Sequence, residues 1–220
     1  MIELIKCIWK EFIETLLELY DKFTYPLGVA PIPNFEVYFR PEGIFFQEYM
    51  FSAASVYPSG LISYTYIQEV LLVASPPEIR TKNGEILFVS AELKKELEEV
   101  ALANQIPLVS RVDVWSYILD PFLDTEFTSE QEEATLKLLE ENNISSLECQ
   151  QIRNFVGQAM LAYNFTSGLW EWAHLGLCDV LAALSGNLSG HRHKLSETDF
   201  KNFYYQAIEI ANRGKLITTE

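Results

Sequence analysis

Apolar and polar positions along the chain change period twice, and each change marks a change of architecture. Residues 2–23 place Ile5, Trp9, Phe12, Ile13, Leu16, Leu17, Tyr20 and Phe23 at helical spacing with charges between them, which predicts an amphipathic helix with one broad apolar face. Pro26, Gly28, Pro31 and Pro33 exclude a continued helix, so an N-terminal helix over 1–25 and a Pro-rich linker over 26–34 are expected. From Phe35 the period falls to two: Phe35, Val37 and Phe39 alternate with Glu36, Tyr38 and Arg40. A turn at Pro41-Glu42-Gly43 then leads into Ile44–Phe51, completing a hairpin pattern. Leu61–Ile67 and Val70–Ala74 read as further strands, and Glu78–Thr81 and Glu85–Ser90 flank an Asn83-Gly84 pair suited to a tight hairpin. The helical period returns in Leu93, Leu97, Val100 and Ala101 and stops before Pro107. Residues 35–109 are therefore expected to form a β-rich unit, one small antiparallel sheet ending in a covering helix.

Beyond Ser110 the pattern is helical throughout, which places a helical domain over 110–220. Ser110, Ser129, Ser145 and Ser196 each stand three residues before an acidic side chain, Asp113, Glu132, Glu148 and Asp199. That spacing lets a serine cap a helix while the acid reaches back to the first turn, so it marks four helix starts. The first of these helices has to end or kink before Pro121. Ile152, Phe155, Val156, Ala159, Met160 and Tyr163 form one apolar stripe, and Phe200, Phe203, Tyr204, Ala207, Ile208 and Ala211 another. Residues 168–184 are apolar nearly all round and predict a fifth, central helix beginning near Ser167. The fold class expected is α+β: a small antiparallel sheet with its covering helix, packed on a C-terminal helical bundle. In its order of elements, several strands and then one helix, the stretch 35–105 resembles the pleckstrin-homology-like roll, which implies a binding scaffold rather than a reaction.

Charge sharpens this picture. The chain carries 16 Lys+Arg against 31 Asp+Glu, a net −15, which repels phosphate backbones and anionic lipid and favours a basic protein partner over nucleic acid or membrane. The excess is concentrated: residues 112–150 hold ten acidic side chains and one base, Lys137, for a net −9. Within that stretch Asp113, Asp120, Asp124 and Glu126 are interleaved with Trp115, Tyr117, Phe122 and Phe127, the composition of a surface that meets a cationic partner with aromatic anchors. The competing assignment makes the aromatics core and the glutamates a solvated helix face. Cys7, Cys149 and Cys178 are three and widely spaced, a number and spacing that fit neither a disulfide framework nor a zinc ribbon. With charges interrupting the apolar N-terminus, a bacterial-type cytoplasmic location is expected.

A second chemistry competes. Glu171, His174 and Cys178 fall at i, i+3 and i+7 of the expected central helix, and His191 and His193 follow in a loop. Two imidazoles and a carboxylate are a set that holds one Zn or Fe ion with an open position. Only one Glu-x-x-His is present, so a two-metal bundle centre is not expected. GxSxG elbows, Gly-rich phosphate loops and GxGxxG are all lacking. The sequence thus points first to a non-enzymatic binding or regulatory protein of the immunity or inhibitor kind, with a mononuclear metal enzyme as the alternative, and with the first helix as a candidate homodimer contact.

Overall fold

The structure is a computed structural model and describes residues 35–123, 128–167, 174–185 and 194–217. The expected N-terminal helix and its linker lie outside these residues.

Strands β1 (Val37–Arg40), β2 (Gly43–Phe46) and β3 (Gly60–Ser63) form one antiparallel sheet in that order. Its register pairs Tyr38 with Phe45 and Phe45 with Leu61, while Phe39, Ile44 and Ile62 align on the opposite, core-facing side. The hairpin needs glycine at position 43, because a Cβ there would sit 2.2 Å from the Ile62 carbonyl oxygen across the sheet. Strands β4 (Ile67–Leu71), β5 (Glu78–Thr81) and β6 (Ile86–Phe88) form a second three-stranded antiparallel sheet. Gly84, at φ +86°, turns the chain between β5 and β6 as the Asn-Gly pair predicts.

The single sheet expected is therefore two, and the strand expected over Leu61–Ile67 is cut by a 3₁₀ turn at Tyr64–Tyr66. Ser63 causes the break: its hydroxyl accepts from the Thr65 N–H at 3.4 Å, the local side-chain bond that competes with a sheet ladder. The chain then re-enters extended geometry in the other sheet, and Gln68 and Glu69 carry β4 on through a register shift.

Helix α1 (Lys94–Ala103) follows a 3₁₀ turn and buries Leu97 and Ala101. Residues that precede the next helix stay extended rather than helical. Val70 N–H donates to the Pro107 carbonyl and Val109 N–H to Val70, while Val112 and Ile217 bond across to Lys215 and Ser110. The 107–112 stretch and the 215–217 stretch thereby continue the second sheet. Helix α2 (Val114–Leu119) starts four residues later than the Ser110 signal, capped instead by Asp113, and runs into a 3₁₀ turn at Asp120–Phe122 where Pro121 stops it. Helix α3 (Ser129–Glu141) is capped by Thr128 with Gln131 in a full capping box, one residue before the serine that the spacing singles out. Helices α4 (Ser146–Ser167), α5 (Leu177–Ser185) and α6 (Glu197–Asn212) complete the bundle.

One buried core runs through both halves of the chain. Phe51 stacks near Phe200 and Tyr204 at 6.4 and 6.3 Å between ring centres. Trp115 is fully buried, and its indole N–H donates to the Ala207 carbonyl at 2.9 Å. Polar ties reinforce the joint: Arg80 bridges Glu78 and Asn212, and Arg111 holds both Glu69 and the Gly214 carbonyl. The architecture is α+β with a helical C-terminal part.

Candidate binding surface

The acidic segment of the sequence becomes α2, its 3₁₀ extension and α3. Helix α3 turns Thr135 and Leu139 inward and leaves Glu130, Glu133, Glu140 and Glu141 exposed, with Lys137 the one base among them. Positions 130, 133, 137, 140 and 141 recur every three or four residues and so share a single outward stripe. Glu132 points the other way. Its Oε1 receives Arg153 Nη1–H at 2.7 Å, and the same guanidinium donates to the Ile118 and Tyr117 carbonyls at the end of α2. Arg153 thus satisfies carbonyls that a helix end leaves open, and the favourable sign of a cation there adds to the tie.

Four arginines among the described residues are committed in this fashion. Arg80 pairs with Glu78, Arg111 with Glu69, Arg153 with Glu132, and Arg213 with Glu148 and Glu209. These four guanidinium groups are held by internal carboxylates, whereas Glu130, Glu133, Glu140 and Glu141 stay exposed on the outer face of α3. At these separations and this exposure each outward glutamate interacts weakly with its neighbours, but four acids against one lysine set up a field that a cation feels within about a Debye length of ~8 Å.

A second polar group lies where α2 begins. Asp113 Oδ1 caps α2 through the Ser116 N–H at 3.2 Å, and its Oδ2 receives His174 Nε2–H at 2.9 Å. Beyond His174, Asp179 Oδ2 accepts the Gly176 N–H at 2.8 Å and its Oδ1 accepts the Tyr163 hydroxyl at 2.9 Å. The hydrogen bond to Asp113 raises the His174 pKa, against an opposing desolvation. Burial raises that of Asp179, although the Gly176 and Tyr163 donors resist it. Burial likewise raises Asp120 and Glu78, in each case against a nearby arginine, Arg153 and Arg80. Cys178 and Cys149 are buried thiols whose pKa values burial pushes up, which leaves them protonated and poor nucleophiles.

The sequence-predicted residues separate as follows. Asp113 and His174, taken from two different chemistries, are brought into direct contact. Trp115 is a core residue and not a surface anchor, because Val114, Trp115, Ile118 and Leu119 share the inward face of α2. Asp120 is half-buried at the end of α2, close enough to Arg153 and Glu132 to interact with both. Asp124 and Glu126 lie outside the described residues, as do Glu171, His191 and His193. His174 does not sit on the central helix. Gly176 N–H is taken by the Asp179 side chain in the manner of half a capping box, so α5 starts at Leu177 and residues 174–176 lead into it as coil. His174 and Cys178 therefore do not share the one helical face expected of them, and Glu171 lies outside the described residues. Among the described residues no group of three His, Cys, Asp or Glu side chains is arranged to hold a metal ion, and no helix is long and apolar enough to cross a membrane.

Arg153 and Asp179 were not among the site residues read from the sequence, and Tyr163 was read there only as part of an apolar stripe. Arg153 gives a local signal, a cation interrupting the otherwise apolar stripe of α4, whereas the Tyr163–Asp179 contact is set only by how α4 and α5 cross. No protein-family model, no curated protein and no solved structure matches the chain. The likeness of residues 35–105 to a pleckstrin-homology-like roll accordingly rests on element order alone.

Proposed function

We propose that this chain is a non-enzymatic protein-binding module, of the immunity or inhibitor kind, whose acidic helical face engages a basic protein. The observation that carries this is the stripe of Glu130, Glu133, Glu140 and Glu141 on α3, with Lys137 as its one base, while Arg80, Arg111, Arg153 and Arg213 are engaged by carboxylates within the fold. Such a surface accelerates encounter with a cationic partner and disfavours nucleic acid and anionic lipid. Burial of Trp115 moves the proposed surface from the aromatic segment to the exposed helix that follows it.

Salt dependence tests the proposal. Titrating the full chain with a strongly basic globular protein such as cytochrome c at 50 and 200 mM NaCl should show affinity falling several-fold as screening shortens. Association that is absent at both, or indifferent to salt, would remove the electrostatic basis.

A further inference from the structure

The outer side of the first sheet carries an apolar row that stands open. Register aligns Tyr38, Phe45 and Leu61 across β1, β2 and β3, and strand alternation turns them away from the core. Tyr38 and Leu61 are 45% and 44% exposed. Phe45 is half-buried, and the Arg40 guanidinium lies over its ring at 3.8 Å. An antiparallel sheet with one solvated face puts polar side chains at such positions. Three large apolar ones in register instead fit a face covered by a second layer.

The sequence supplies that layer. Segment 2–23 places eight large apolar side chains on one face of its expected helix, and such a stripe holds a helix mainly by packing on another apolar surface. Its tether ends beside the row. Phe35 is fixed to Ser90, its N–H donating to the hydroxyl at 2.8 Å and its carbonyl accepting the Ser90 N–H at 3.0 Å, and the edge strand that bears Tyr38 begins two residues later. Linker residues 26–34 reach about 30 Å when extended, whereas the row crosses three strands in about 10 Å, the width of one helix. So short a tether keeps the segment at a millimolar effective concentration, which favours its own sheet over a second copy. Charge agrees: Lys6 and Lys10 stand one turn before Trp9 and Ile13 and so border the stripe, while the exposed Glu36 and Glu42 flank β1 and form no ion pair among the described residues.

We infer that the outer face of the β1–β2–β3 sheet is the docking site of the chain's own segment 2–23, whose apolar stripe seats on Tyr38, Phe45 and Leu61. The stripe that made this segment a candidate homodimer contact is thereby covered within one chain.

The test places a nitroxide on Cys7 of the full chain and reads amide line broadening by ¹⁵N-NMR. Cys7 falls opposite Trp9 and Leu16 on the expected helix, so the label spares the stripe, and Cys149 and Cys178 are buried away from it. Relative to the reduced label, the amides of Tyr38, Phe45 and Leu61 should lose at least half their intensity and those of α3 far less. The loss should disappear in Tyr38→Lys with Leu61→Lys, and equally in Trp9→Glu with Leu16→Glu. It should persist in Leu102→Lys, an exposed apolar position on α1. Unchanged amide shifts at the buried Ile44 and Ile62 verify that the sheet variant is folded; if they move, the segment variant decides. Mixing unlabelled ¹⁵N chain with nitroxide-bearing unenriched chain should give no broadening. Broadening that is absent in the wild type, centred on another face, or unchanged in both double variants would overturn the assignment. Broadening between chains in the mixed sample would overturn it as well, by making a second copy the occupant.

Discussion

Replacing Trp115 distinguishes a core residue from a binding anchor, and the structure sets the size of the effect. The indole is fully buried, and it makes one internal hydrogen bond, to the Ala207 carbonyl of α6. Its ring also meets Phe203 edge-on at 6.3 Å. In Trp115→Phe the lost hydrogen bond costs about 1 kcal/mol net. A void of roughly 40 Å³ adds about 1 kcal/mol at ~24 cal/mol per Å³. The sum is about 2 kcal/mol. In Trp115→Ala the cost rises to about 3–5 kcal/mol, since the whole ring system is removed from a site fixed by two helices and cannot fully collapse. Against a total stability of about 5–15 kcal/mol both changes are large. Urea unfolding followed by circular dichroism measures them, with the slope of the transition checked for constancy so that the midpoint reports stability. A loss below about 0.5 kcal/mol for Trp115→Phe, or below about 1 kcal/mol for Trp115→Ala, would refute the burial argument and restore Trp115 as a surface anchor.

Three further outcomes follow from named contacts. The folded pKa of His174 is raised by Asp113, so the pair stabilises the fold fully below the unfolded value of about 6.5 and loses that contribution as pH rises through the folded value; because the side chains are 46% and 40% exposed, the change is about 0.5 kcal/mol, and unfolding across pH 5–8 should show it vanish in His174→Gln. Arg111→Met strips the partner from Glu69 and frees the Gly214 carbonyl, so a loss of about 3–5 kcal/mol is expected, and amide exchange at Val112 and Ile217 should quicken. Thr128→Ala removes the cap of α3 and should cost about 1 kcal/mol, read from the urea midpoint.

Val37–Arg40 was legible because a half-buried strand has to alternate, and Glu78–Thr81 and Ile86–Phe88, buried at every position, were legible through the Asn83-Gly84 turn between them. Helix starts were legible to within a residue at Ser145 and Ser196, whose hydroxyls do accept the Glu148 and Asp199 N–H groups. Ser110 misled because its segment has a stronger alternative: an open edge at β4 on one side and the 215–217 stretch on the other, neither visible from local spacing. Trp115 was ambiguous for a related reason. Its acidic neighbours Asp113 and Asp120 lie at the two ends of a six-residue helix, so interleaving along the sequence did not mean interleaving on a surface. His174 failed as a helical residue through a single side chain, Asp179, whose bond to Gly176 fixes where α5 begins.

The central claim is that the outer stripe of α3, and not net charge alone, makes this chain a partner for a basic protein. Calorimetric titration with cytochrome c at 50 mM NaCl tests it most directly when two charge-matched variants are compared: Glu130, Glu133, Glu140 and Glu141 reversed to Lys on α3, and the exposed Glu92, Glu96, Glu98 and Glu99 reversed to Lys at and within α1. The account predicts a loss of affinity of at least tenfold for the α3 variant and a much smaller loss for the α1 variant. Equal losses in the two, or undiminished binding by the α3 variant, would contradict it.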